Sequence, residues 1–167
     1  MKISVVITAH NDVASIADSI NSVLSQSHKA DEIIVVDDGS RDATSEVAKI
    51  YDEVSLLRQK EMGAFSARNN GVMMAENNWI AFLDAKNVWP NEKLRMQLAF
   101  HKANPQLKVS VYNGTKCLFL QEALQQGRID NSSIIIEKKL YETLGGFDEA
   151  VEMSEDDEFW MRVVESS

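Results

Sequence analysis

Residues 80–89 read IAFLDAKNVW, an apolar run that stops at Asp84 with Lys86 two places on. A second apolar run, EIIVV, stops at the pair Asp37-Asp38, and Gly39-Ser40 follow at once. A third group of acids, Asp148, Glu149, Glu152, Glu155, Asp156, Asp157 and Glu158, crowds eleven positions near the C-terminus. Carboxylates on a strand end can orient N–H and O–H groups of a ligand through charge-assisted hydrogen bonds. Carboxylates crowded together repel one another, which raises a pKa and makes a better proton acceptor. A lysine beside an acid supplies fixed positive charge where an anion could lie. Each piece also has an ordinary reading. Asp-Asp-Gly-Ser favours a turn without any ligand, His10 suits a loop, and the acids of 148–158 suit a solvated helix start.

The elements that must carry these groups are legible from the apolar pattern. Runs at 3–9, 32–37, 54–58 and 79–84 are β-branched or aromatic and lack alternation, as strands buried on both faces do. Between them, Val13, Ile16, Ile20, Val23 and Leu24 recur at helical spacing, with Asn11 or Asp12 as the cap. Asp42 is expected to cap a helix carrying Val47 and Ile50, and a third helix covers 64–76 behind Gly63. Strand–helix alternation of this kind predicts an α/β fold, an open and mostly parallel sheet with helices on both faces.

The second half is less regular. Strands are expected at 107–112 and 132–137, a helical turn at LQEALQQG, and a short helix ended by Gly145-Gly146. A last helix over SEDDEFWMRVV carries Phe159, Trp160 and Val163 on its apolar face. Trp89-Pro90-Asn91 opens the helix after the fourth strand, with Leu94 and Leu98 inward.

In open parallel sheets, ligands bind beyond the carboxyl ends of the strands. Here those ends present Thr8, His10 and Asn11, then Asp37 and Asp38, then Arg58 and Gln59, then Asp84 and Lys86. Independent turns have no reason to share one edge, so their convergence points to a site. TAHND at 8–12 has no glycine and so fits a dinucleotide turn of the G-x-G-x-x-G kind poorly, and a P-loop is missing as well. A phosphoacceptor receiver domain has the acids it needs, but the order of the motifs and the irregular second half fit it badly.

Whole-chain properties narrow the classes further. The chain has 167 residues, enough for one domain with a sizeable core. Its 17 basic and 26 acidic residues give a formal charge of −9, which argues against nucleic-acid binding. Cys117 is the single cysteine, so no internal disulfide forms and a reducing compartment fits. No run reaches the roughly 18 apolar residues of a membrane span. A cytoplasmic protein is expected, with peripheral membrane contact open.

Six motifs in order carry a resemblance: SVVITAHND (4–12), EIIVVDDGSRDAT (32–44), GAFSARNNGV (63–72), IAFLDAKNVWPNEKL (80–94), LGGFDE (144–149) and SEDDEFWMRV (154–163). The chain resembles the family 2 glycosyltransferases of GT-A fold over nearly its whole length. The resemblance implies one GT-A domain over 1–167. Residues 1–100 would form its nucleotide-sugar half and 101–167 a reduced acceptor half, C-terminally shortened. It implies a nucleotide-diphospho-sugar partner, UDP-linked by preference, with a sugar or glycan acceptor that the motifs do not identify.

By the same resemblance Thr8, His10, Asn11, Asp37, Asp38, Arg68, Asp84 and Lys86 belong to the nucleotide site. Gly146, Phe147, Asp148 and Glu155 belong to the acceptor region, and Asp156 is the general base of an inverting transfer. The family holds Mg²⁺ or Mn²⁺ with the last acid of an Asp-x-Asp motif, hard oxygen on a hard cation. Here that motif reads Asp84-Ala85-Lys86, so Asp84 alone is left for a metal. Three readings of Lys86 stand side by side: it replaces the metal on the diphosphate, it marks a nucleotide-sugar-binding domain without catalysis, or it faces solvent while another acid holds the metal. The first, with metal-independent or weakened transfer, is the reading carried forward.

Overall fold

In a computed structural model the chain is described at residues 1–127, 129–150 and 156–166, the side chains of 156 and 157 excepted. Strand β1 (Ile3–Ala9) is buried along its whole length, which explains its unbroken apolar text. Its neighbours are β2 (Glu32–Asp38) and β4 (Trp79–Asp84), both parallel to it, and β3 (Val54–Gln59) lies parallel beyond β2. The sheet continues past β4 with β7 (Ile134–Glu137), β5 (Val109–Tyr112) and the two-residue β6 (Cys117–Leu118), each antiparallel to its neighbour. The order is β3-β2-β1-β4-β7-β5-β6.

Side chains alternate between two cores. Val6, Ile34, Val36, Ile80 and Phe82 face one side, while Val5, Ile7, Val35, Ala81 and Leu83 face the other. On the first side pack α3 (Ala64–Met74), α5 (Leu120–Gln125), α6 (Lys138–Thr143) and α7 (Asp156–Glu165), through Phe65, Leu120, Leu140 and Phe159. On the second lie α1 (Ile16–Leu24), α2 (Thr44–Ala48) and α4 (Lys93–Ala103), through Ile16, Ala48 and Leu94. Helix α3 can rest directly on β1 because residue 71 is glycine: a Cβ there would stand 2.3 Å from a Val6 methyl.

The expected α/β architecture with helices on both faces is present. Four local expectations need correction. Asp12 does not cap α1 with its side chain. Its Oδ2 accepts the His10 N–H at 2.8 Å, and its backbone oxygen receives the N–H groups of Ser15 and Ile16. Ile50 lies beyond the end of α2 and is exposed. The two-residue β6 was not foreseen, because so short a pairing leaves no periodic trace. Asp42 is not the N-cap of α2 either: Ala43 holds that position, and Asp42 stands one residue earlier, its Oδ1 accepting the Thr44 N–H at 3.0 Å. Among the described residues, no helix is long and apolar enough to cross a membrane.

Candidate functional site

The chain leaves β1 for β2 on one side and later returns to β4 on the other. The strand order therefore reverses between β1 and β4, and a crevice opens at their carboxyl ends. Register sets Thr8 opposite Asp84, and Asp38 opposite Gln59 one strand further out. A hollow of about 440 Å³ lies there, bounded by Thr8, His10, Asp38, Arg68, Asp84 and Lys86, with Asp12 and Glu61 beside them.

At its centre Asp84 Oδ1 accepts both the Thr8 hydroxyl, at 3.0 Å, and Arg68 Nη2, at 2.8 Å. Arg68 is only 3% exposed. Its guanidinium carbon lies 5.4 Å from the centre of the Phe147 ring and 5.9 Å from that of Phe65, within cation–π range of both. Arg68 Nε and Nη1 are buried and have no hydrogen-bond partner among the described residues. Buried donors without acceptors cost about 1–3 kcal/mol each, and native proteins retain few of them without a reason.

Asp38 holds a wall of the hollow in place. Oδ1 accepts Gln59 Nε2 at 2.8 Å and the Met62 N–H at 2.7 Å, and Oδ2 accepts the Gly63 N–H at 2.9 Å. A carboxylate has about four lone-pair sites, so little capacity beyond one further bond is left for a ligand. The turn below it needs Gly39, at φ +71°, where a Cβ would meet the Glu61 backbone nitrogen at 2.6 Å. His10 Nδ1 lies 2.6 Å from the Asp38 carbonyl oxygen. A carbonyl only accepts, so this nitrogen carries the hydrogen, and Nε2 is left facing Asn11 Nδ2 and Glu61.

Several sequence-based expectations change on contact with this geometry. Asp37 does not reach the hollow. It is fully buried, accepts the Ser40 N–H at 2.9 Å and the Ser45 hydroxyl, and so shapes the turn from behind. Asn11 also stays outside: at φ 54° it donates its N–H to Ser40 Oγ and accepts the Arg41 N–H, tying two loops together. Phe147 is core rather than acceptor surface, stacked on Phe65 at 5.0 Å and packed against Tyr141, Phe159 and Trp160. Gly146 receives Arg162 Nη2 on its carbonyl, and Asp148 accepts the Ala150 N–H. Neither borders the hollow. Glu155 lies outside the described residues, as does the side chain of Asp156, whose backbone opens α7.

Lys86 is 79% exposed and overhangs the hollow, its Nζ 4.0 Å from Asp12 Oδ1. The donor set does not suit a divalent cation. Asp84 is committed to a guanidinium and a hydroxyl, the next position that could ligate is an ammonium, and no group of three or more His, Cys, Asp or Glu among the described residues could hold a metal.

Sequence reasoning overlooked three contributors. Asp12 borders the hollow. Ser132 Oγ accepts the Asp84 N–H at 3.1 Å and Asn87 Nδ2 at 2.8 Å, securing the turn that carries Lys86. Asn69 joins α3 to the 147–149 loop. Asn69 and Asp12 left a signal, as the neighbour of Arg68 in SARNNG and as the last residue of SVVITAHND, whereas Ser132 left none.

A crevice at the strand-order reversal, lined here by a buried arginine and a strand-end aspartate, is where open α/β sheets bind their ligands. The chain belongs to glycosyl transferase family 2, whose model matches residues 4–149. It is 35% identical over 103 residues to TuaG of Bacillus subtilis, a glycosyltransferase assigned to teichuronic acid biosynthesis, covering 59% of this chain and 41% of that protein. Its fold matches S. aureus TarS in complex with UDP-GlcNAc at TM-score 0.82 and 22% identity, over 98% of this chain and 53% of that one. The mannosyltransferase PcManGT from Pyrobaculum calidifontis, in complex with GDP-Man and Mn²⁺, matches at TM-score 0.74 and 20% identity, over 90% and 48%. At these identities the two likenesses are of fold, and the fold is GT-A. The chain spans 15–41% of the length of curated relatives that include Rickettsia sequences and TuaG.

Proposed function

We propose that the chain binds a nucleoside-diphosphate sugar in the hollow between β1 and β4 and passes the sugar, with inversion, to an acceptor hydroxyl. The observation that carries this reading is Arg68: a guanidinium almost out of reach of water beside the hollow that Lys86 overhangs, paired to Asp84, with two nitrogens, Nε and Nη1, that have no hydrogen-bond partner among the described residues. Two cations beside one hollow suit a diphosphate. In this reading the acceptor oxygen attacks the anomeric carbon, the bond from that carbon to the diphosphate breaks, and Asp156 takes the hydroxyl proton. Negative charge then grows on the departing diphosphate, where Lys86 and Arg68 oppose it. At about 4 Å and an effective dielectric near 20, one unit charge pair contributes roughly 4 kcal/mol. Neither step is routed through a metal.

UDP is the preferred nucleotide, supported by the UDP-GlcNAc complex of TarS, and cell-envelope polysaccharide is the preferred product class, supported by TuaG. A second reading is favoured by Lys86 itself: a domain that binds nucleotide sugar and transfers nothing. Calorimetry of the full chain with UDP, GDP and dTDP in EDTA tests the common ground, and UDP is expected to bind without metal. Binding of none of the three would overturn both readings. Binding of UDP-GlcNAc with neither hydrolysis nor transfer would select the second.

A further inference from the structure

A second hollow, of about 550 Å³, opens beside the first, and Lys86 borders both. Its walls come from the turn after β4, the first turn of α4, the end of β5 and the turn before β7. Lys93 of α4 lines it while only 1% exposed. Lys93 Nζ donates to Gln97 Oε1 at 2.6 Å and lies 4.2 Å from the centre of the Trp89 ring. The orientation of Gln97 is forced: its Nε2 is used on the Ser110 carbonyl, the Ser110 hydroxyl and the Ser133 carbonyl, so its oxygen must face the lysine.

Lys93 thus has a neutral acceptor and a ring face, and none of the ion pairs among the described residues includes it. An unpaired ammonium in a protein wall is costly. Burial pulls this amine down from 10.5 to about 7, against the opposing pull of Cys117 on β6 and Asp130 before β7. Asp130 is itself engaged, by the Ser132 N–H at 2.8 Å and by Asn87 Nδ2 at 3.4 Å. Asp130 lines the same hollow, yet it makes no ion pair with Lys93, and an anionic group entering the hollow would supply the direct contact that this carboxylate does not.

We propose that this second hollow binds an acidic saccharide, with Lys93 Nζ as the cation for its carboxylate or phosphate group. Tyr112, Asn113, Gln126 and Ser133 on the walls offer a ring and neutral polar groups for the remaining sugar surface. A neutral sugar would use those groups equally well and leave Lys93 unpaired. Lys86, on the shared rim, adds a second positive charge. Only the word acceptor for this saccharide rests on the transferase reading above, since the hollow is separate from the nucleotide cleft.

The test titrates the full chain, followed by NMR, with glucose, glucuronate and glucose 6-phosphate, first without nucleotide and then with saturating UDP. One of the two acids is expected to bind at least tenfold more tightly than glucose, and the preferred one tells carboxylate from phosphate. Lys93→Met is expected to bring that acid down to the level of glucose. Acids that bind no better than glucose, an unchanged Lys93→Met, or displacement of the acid by UDP would each overturn the proposal. Should Lys93→Met fail to fold, the ¹⁵N signal of Lys93 in the parent serves instead: its titration midpoint is expected to rise with the acid present, and an unmoved midpoint overturns the assignment. Calorimetry with UDP on the same sample reports on the nucleotide cleft alone, so failure of the one site is distinguished from failure of the other.

Discussion

Asn69 grips the backbone of Phe147 at both ends: its Oδ1 accepts the Phe147 N–H at 3.1 Å, and its Nδ2 donates to the Phe147 carbonyl at 2.9 Å. The same Oδ1 accepts the Tyr141 hydroxyl at 2.6 Å, and Nδ2 also reaches Glu149. Burial pushes the Tyr141 phenol well above its usual value, so it remains a donor at any physiological pH. One side chain of α3 therefore holds the loop that leads towards α7, next to the residue that pairs with Asp84. Asn69→Ala would strand a buried N–H and carbonyl, and a loss of about 1–3 kcal/mol in stability is expected. If Asn69 positions the approach to Asp156, sugar transfer falls by more than UDP affinity does. Equal losses in both would reduce Asn69 to a structural role.

Arg68→Gln keeps hydrogen-bonding capacity and removes the charge. UDP affinity measured by calorimetry is expected to fall at least tenfold. Stability is expected to change by less than about 2 kcal/mol, because Asp84 is 35% exposed and water can take the place of the guanidinium. A variant that loses several kcal/mol of stability yet, still folded, keeps its UDP affinity would show Arg68 to be a core ion pair and nothing more.

Lys86→Asp restores an acid two places after Asp84. Nucleotide binding in EDTA is expected to weaken several-fold, and Mn²⁺ is expected to recover it, because two carboxylates without a cation would repel the diphosphate. The parent is expected to bind UDP alike with Mn²⁺ or EDTA. A parent equally dependent on Mn²⁺ would refute the role given to the lysine.

Lys93 gives the folded chain a pH dependence of known sign. Its amine titrates at about 7 when folded and near 10.5 when unfolded. Between those values the unfolded chain holds a proton that the folded chain lacks, so stability rises with pH through this window and is lost as pH falls towards 7. A drop from 10.5 to about 7 corresponds to on the order of 5 kcal/mol at 1.36 kcal/mol per pH unit, an upper figure for a buried amine. Denaturant unfolding of the parent and of Lys93→Met at pH 7 and pH 9.5 checks this. The variant is expected to gain on the parent at pH 7, and the gap is expected to narrow at pH 9.5. Parallel pH profiles would contradict it.

The parallel half of the fold was readable because its determinants are local. Doubly buried strands require unbroken apolar text, and each ends at or within one residue of the polar side chain that closes it: Thr8, Asp37, Asp84. The order of those stops was enough to gather Thr8, Asp38, Asp84 and Lys86 towards one edge, and the family resemblance added Arg68. What each acid does there could not be read in the same way. Asp37 and Asp38 are chemically identical neighbours, and the pleat alone turns one into the interior and the other to the hollow.

The apolar pattern by itself determined that this chain builds a parallel α/β core with helices on both faces, because the burial of whole strands is written residue by residue. The tertiary structure alone decided that Arg68 rather than Lys86 is the buried partner of Asp84, that Phe147 belongs to the core, and that Lys93, in no ion pair among the described residues, lines a second hollow. The first two are meetings between residues 16 and 79 positions apart in sequence, and no local pattern encodes which donor a distant acceptor will find.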